Sequence, residues 1–94
     1  MINLKKMRID KFLKVARILK RRTVGKELAI NDRLYVNGRL AKAATDVKIG
    51  DIVVIVFGHR EITIRILDIR ESASKEQASS LYEVIEEKKT DLYN

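Results

Sequence analysis

At 94 residues and 10.8 kDa the chain has room for one small domain with a modest core and none for a second. A composition of 46% hydrophobic and 35% charged residues excludes a disordered chain, the lack of cysteine excludes disulfides and thiolate chemistry, and the longest unbroken apolar run, Ile52 to Phe57, falls far short of the roughly twenty residues that cross a bilayer. The formal net charge of +7 is unevenly held: residues 1–26 carry ten Lys or Arg against one acid, Asp10, a local balance of +9, whereas residues 71–94 carry six acids against three Lys.

The opening residues lack the apolar stretch of a secretory signal, so the expected address is the cytoplasm, with no membrane partner. Ile9, Phe12, Leu13, Ala16 and Leu19 recur at the spacing of one helical face and predict a first helix from Arg8, packed on a core along that side. Lys11, Lys14, Arg17 and Arg21 fall away from the stripe and predict a dense positive surface; Ile18 sits among them, either exposed or covered. Thr23, after Lys20-Arg21-Arg22, reads as the N-cap of a shorter helix from Val24 to about Ile30, with Leu28 and Ala29 inward. Asn31-Asp32 ends it, because both side chains tolerate a left-handed backbone. Lys20, Arg21, Arg22 and Lys26 then lie at the joint of a helical hairpin.

At Leu34 and Val36 the apolar period shifts towards two, and Asn37-Gly38 is the strongest short-range hairpin signal there is. Residues 39–47 are rich in alanine and read less clearly. Lys48-Ile49-Gly50-Asp51 predicts a turn into a strand from Ile52 to Phe57, and Gly58-His59-Arg60 closes a second hairpin onto a strand from Glu61 to Ile69. Ser74 with Gln77 has the form of a capping box, and Ala78, Leu81, Tyr82 and Ile85 trace a helical stripe to about Lys89, with residues 90–94 fraying. The expected fold class is α+β: a two-helix hairpin packed on a small antiparallel β-sheet, with a C-terminal helix.

Ten cations within 26 residues point to a polyanion, nucleic acid before any other. The candidate contacts are Arg8, Lys11, Lys14, Arg17, Lys20, Arg21, Arg22 and Lys26, with Lys42 reaching in from the hairpin. An enzyme is not expected, and neither is a cofactor or metal: one histidine, no cysteine and no GxGxxG or GxxxxGKS/T motif leave no chemical set to assemble. Asp10, the tempting carboxylate, falls in the first turn of the first helix, where the helix dipole favours it and Arg8, Lys14 or the joint arginines can pair with it. A DNA-reading helix-turn-helix would need Arg, Asn or Gln along its second helix, and that helix offers only Lys26 beside Glu27. Cations on the first helix and the joint suit phosphates of structured RNA instead.

Arg8-Ile9-Asp10-Lys11-Phe12-Leu13, Arg22-Thr23 ahead of the second helix, Val36-Asn37-Gly38, and Val47 three residues before Gly50-Asp51 stand in one order and spacing. Together they resemble the RNA-binding domain named after protein four of the small ribosomal subunit, the S4 domain. Two positions depart from its pattern: Gly25 stands where alanine is usual, which should loosen the second helix by about 1 kcal/mol, and Asp32 stands where glycine is usual. Met7-Arg8-Ile9-Asp10-Lys11-Phe12-Leu13-Lys14, Lys20-Arg21-Arg22-Thr23 and the short Glu/Lys-rich C-terminal segment are similar to the stand-alone bacterial members of this family that serve ribosome-associated quality control. The related fifteen-kilodalton heat-shock protein carries a longer basic extension, unlike the acidic 71–94 segment. The resemblance implies a factor on stalled large ribosomal subunits that touches large-subunit rRNA and the tRNA holding the nascent chain, and supports alanine tailing by a partner quality-control factor. The alternatives are a general rRNA-binding or ribosome-recycling protein and a purely structural ribosomal component. The RNA-binding domain is expected over residues 7–70, with 71–94 an acidic helix and tail of the same unit.

Overall fold

Backbone pairing decides where the first helix starts. Strand β1 (Met7–Arg8) pairs antiparallel with β4 (Asp46–Val47), Met7 opposite Val47 and Arg8 opposite Asp46. Helix α1 (Ile9–Val15) leaves directly from that pair, and the loop ahead of β4 takes up its first orphan donors: Ile9 N donates to Thr45 O at 2.8 Å and Asp10 N to Ala43 O at 3.3 Å. The computed structural model describes residues 5–89; residues 90–94, expected to fray, lie outside them.

The α1 stripe is buried as its spacing demands, Ile9, Phe12 and Leu13 fully and Ala16 and Leu19 nearly so. The helix itself stops at Val15 instead of running on to Leu19. Arg17 adopts a left-handed φ of 59°, and the N–H groups of Ile18 and Leu19 both donate to Leu13 O, at 3.0 and 3.1 Å. That backbone costs a non-glycine residue about 1–2 kcal/mol. In return the chain reverses sharply enough for Leu19 to fold back into the core and for helix α2 (Arg22–Ile30) to lie against α1. The N-cap of α2 is Arg21, and Thr23, the expected cap, sits inside the first turn. At the other end Asn31 Nδ2 donates to Glu27 O at 2.8 Å and Asp32 takes a φ of 58°, in line with their chemistry.

Gly25 is buried where the helices meet, and a Cβ there would lie 3.3 Å from both Cα and Cβ of Asp10. The glycine that weakens α2 on its own is thus what lets α1 approach it. Alanine would require Asp10 to give by a few tenths of an ångström.

Strands β2 (Leu34–Val36), β3 (Arg39–Leu40), β5 (Ile52–Phe57), β6 (Arg60–Ile66) and β7 (Tyr82–Lys89) form one antiparallel sheet in the order β3-β2-β5-β6-β7. Asn37 and Gly38, with φ of 51° and 82°, make the two-residue link between β2 and β3. Gly58 and His59 do the same between β5 and β6, where Phe57 pairs with Arg60. Leu34, Val53, Ile55, Ile64 and Ile66 join the α1 stripe in one buried cluster.

The expected C-terminal helix is corrected. Its capping box exists, Gln77 N donating to Ser74 Oγ at 3.2 Å and Ser74 N to Gln77 Oε1 at 3.1 Å, but helix α3 spans only Lys75–Ala78. Leu81 is fully buried, and from Tyr82 the chain runs as β7 along β6, with Ile66 opposite Tyr82 and Arg60 opposite Lys89. Without that strand the backbone of β6 would be an unpaired sheet edge. A register shift opposite Thr63 and Ile64 leaves Ile85 as the extra residue of a bulge, which breaks the alternation that would otherwise have marked a strand. The fold class remains α+β, as expected.

The Lys48–Asp51 turn is held by a buried carboxylate. Asp51 accepts from Asn37 Nδ2 at 3.1 Å, Lys48 N at 2.9 Å and Lys48 Nζ at 3.1 Å. Burial pushes its pKa up, but these bonds outweigh burial and hold the carboxyl below its ordinary value. A depressed folded pKa contributes stability that is fully present above the unfolded value, about 3.9, and is lost as pH falls through the folded one. Urea unfolding followed from about pH 6 to about pH 2 should therefore show stability falling below about pH 4, less steeply in Asp51→Asn. Parallel curves for the two proteins would show that Asp51 contributes nothing to acid sensitivity.

Candidate nucleic-acid interface

The acid among the N-terminal cations lies at the junction of the two helices. Asp10 is fully buried and accepts from Arg8 Nε at 3.2 Å, Arg8 Nη2 at 3.0 Å, Arg22 Nη2 at 3.4 Å and its neighbour Lys11 N at 2.7 Å. Of the partners expected for it, Arg8 and Arg22 are present and Lys14 is not. The two arginine side chains remain 45% and 40% exposed. Arg8 spends two of its five N–H groups on Asp10 and Arg22 one, so each keeps donors for a second anion. Arg22 Nε is buried without a partner.

The other cations fall into separate groups. Lys14, Arg17 and Lys20 line a groove of about 370 Å³ together with Val15, Leu19 and the 71–73 segment, and Arg17 Nη2 donates to Ala73 O at 3.4 Å. The left-handed turn at Arg17 is what brings Lys14 and Lys20 to one groove, since both would otherwise continue along a straight helix. Lys26 from α2 and Lys42 from the loop between β3 and β4 line a second groove, of about 250 Å³, with Ala29, Ile30 and Ala43. That loop is tied to α1 by its backbone bonds, and Lys42 N donates to Thr45 Oγ1 at 2.9 Å, which holds the lysine beside α2. Lys11 is already occupied: its ammonium pairs with Glu71. Arg21 stands exposed at the joint.

The structure therefore brings Arg8 to Arg22, Lys14 to Arg17 and Lys20, and Lys26 to Lys42, and does not merge all nine into one uniform patch. Some neighbours carried no signal in the sequence. Ile30, 79% exposed, is the apolar part of the Lys26–Lys42 groove, and an isoleucine before Asn31 reads only as a helix end. Lys5, Lys6 and Arg70 gather with Ile69 and Glu71 around a further groove of about 480 Å³, although Arg70 is remote from the other two in the chain. Among the described residues no cluster of three His, Cys, Asp or Glu is placed to hold a metal ion, and no helix is long and apolar enough to cross a membrane.

Residues 7–53 match the S4 domain family. The chain is 51% identical over 81 residues to the RQC P-site tRNA stabilizing factor of Streptococcus pneumoniae, covering 86% of this chain and 92% of that protein. It is 53% identical over 81 residues to the factor of the same name from Halalkalibacterium halodurans, again covering 86% and 92%. Among solved structures it is similar to the trimeric Heat Shock Protein 15 of Vibrio cholerae, with a TM-score of 0.78 and 31% identity over 85% of this chain and 82% of that one.

Proposed function

We propose, since this chain belongs to the S4 domain family, that it is an RNA-binding factor of ribosome-associated quality control that holds peptidyl-tRNA on stalled large ribosomal subunits. The observation that carries this reading is the near full-length similarity, at about half identity, to proteins named RQC P-site tRNA stabilizing factor. The physical rationale is the grouped cations. A tRNA left on a lone large subunit has lost the hold that a small subunit had on its anticodon arm. A small basic domain can replace part of that hold by neutralising phosphates of the tRNA and of large-subunit rRNA together, without reading sequence. Arg8, Lys11, Lys14, Arg17, Lys20, Arg21, Arg22, Lys26 and Lys42 are the proposed contacts.

On this reading the protein acts by binding and not by catalysis, in the cytoplasm. Steadying the tRNA would support alanine tailing of the nascent chain by a partner quality-control factor. Residues 7–70 are the proposed RNA-binding domain, and the acidic segment that follows from residue 71 belongs to the same unit, with β7 completing its sheet.

The test uses large subunits isolated from stalled translation, to which the protein is added with and without prior release of the nascent chain. Sedimentation should show the protein on subunits that carry peptidyl-tRNA and much less on emptied subunits or intact ribosomes. Equal binding to empty subunits would favour the second reading, a general rRNA-binding or recycling protein.

A further inference from the structure

We propose that Asp10 is a positioning residue for RNA binding, holding the guanidinium groups of Arg8 and Arg22 in the orientation in which they meet phosphate. This rests on the reading of the surface as an RNA interface and adds a role for an acid within it.

A surface that only accumulated positive charge would gain nothing from a carboxylate in its midst. Asp10 lowers the local charge, and it is fully buried, where an ion is costly unless it is paired and hydrogen-bonded. Three of its four side-chain bonds go to the two arginines. Arg8 presents a two-pronged fork to the carboxylate through Nε and Nη2, which sets the plane of its guanidinium. Arg22 reaches the same carboxylate from the first turn of the other helix, so one acid registers the two arginines relative to each other. The carboxylate is itself held by Lys11 N, and its backbone is held against α2 at Gly25, where the helices come closest. A free arginine side chain carries considerable rotamer entropy, and ordering it before RNA arrives removes that loss from the binding step. The orphaned Nε of Arg22 fits the same picture: the side chain is held by its terminal nitrogen towards Asp10 even though one donor goes unmatched.

The experiment compares Asp10→Asn, Arg8→Lys, Arg22→Lys and the combinations, with labelled deacylated tRNA and large subunits carrying peptidyl-tRNA as probes. Circular dichroism checks whether each variant folds. Asp10→Asn raises the net charge, so a pure charge effect would tighten binding and steepen its salt dependence. Positioning predicts the opposite sign, a drop of about tenfold in affinity from the lost pre-ordering of two arginine side chains, with a salt slope shallower by about 0.7–0.9 for each phosphate that is no longer neutralised. In the Arg8→Lys/Arg22→Lys background, Asp10→Asn should weaken binding no further, because there is no fork left to orient. Binding by Asp10→Asn as tight as the parent, or an undiminished drop in the Arg8→Lys/Arg22→Lys background, would overturn the proposal. If Asp10→Asn does not fold, the charge-conserving Arg8→Lys and Arg22→Lys decide: unchanged affinity in both shows that orientation is immaterial. A parent protein that binds neither probe would overturn the RNA reading itself, which separates the two failures.

Discussion

Raising monovalent salt from about 50 to about 200 mM should weaken RNA binding roughly a thousandfold, the effect expected when on the order of six phosphates are neutralised. The nine candidate cations are unequal in the folded protein. Arg8 and Arg22 share their charge with Asp10, and Lys11 is paired with Glu71. Lys14, Arg17, Lys20, Lys26 and Lys42 line open grooves, and Arg21 stands exposed at the joint. Lys14→Ala should therefore lower the salt slope by about 0.7–0.9. Lys11→Ala should change it less, because an ammonium already neutralised by Glu71 displaces fewer counterions from the RNA. Affinity measured by fluorescence anisotropy over a salt series reads both. A flat salt response would refute phosphate neutralisation altogether, and equal slopes for the two variants would show that the Lys11–Glu71 pair opens when RNA binds.

Leu81→Ala should destabilise the domain by about 3 kcal/mol, the usual cost of truncating a fully buried leucine, and lower its melting temperature by more than about 10 °C. Leu81 sits between the single turn of α3 and the start of β7, and its carbonyl accepts from Leu67 N at 2.8 Å and Asp68 N at 3.2 Å. The residue thus anchors the segment that delivers β7 to the edge of β6. Along β7 itself the side chains are mostly exposed, Val84 at 53% and Ile85 at 47%, so the strand is held by its backbone ladder and by the Leu81 anchor more than by its own packing. Ion pairs between Arg60 and Glu87 and between Arg65 and Glu83 lie on the surface and add little. Val84→Ala, as a control, should cost well under half as much as Leu81→Ala. A Leu81→Ala protein that melts like the parent would mean that β7 stays docked without its anchor.

Where a residue's own chemistry sufficed, the sequence was legible. Asn37-Gly38 and Gly58-His59 make their tight turns because few other pairs reach those backbone angles so easily, Asp32 takes its left-handed φ, and Ser74 with Gln77 closes its capping box. The apolar stripe of α1 identified five core residues from spacing alone, and Asp10 pairs with nearby arginines because a buried acid must be paired. What the local signals could not decide was where long-range demands outweighed them. The stripe to Leu19 is buried through a strained turn at Arg17, because only a sharp reversal lets α2 return along α1. Residues 82–89 are rich in Glu and Lys and carry adjacent apolar residues at a bulge, so their own preference, worth a few tenths of a kcal/mol per residue, suits a helix. The unpaired edge of β6 offers a whole ladder of backbone hydrogen bonds instead, and that larger demand makes them a strand. The site divides in the same way: which residues are cationic is plain in the chain, but that Lys26 shares a groove with Lys42 depends on how α2 and the 41–45 loop pack against α1, and that Lys14 shares one with Lys20 depends on the turn at Arg17.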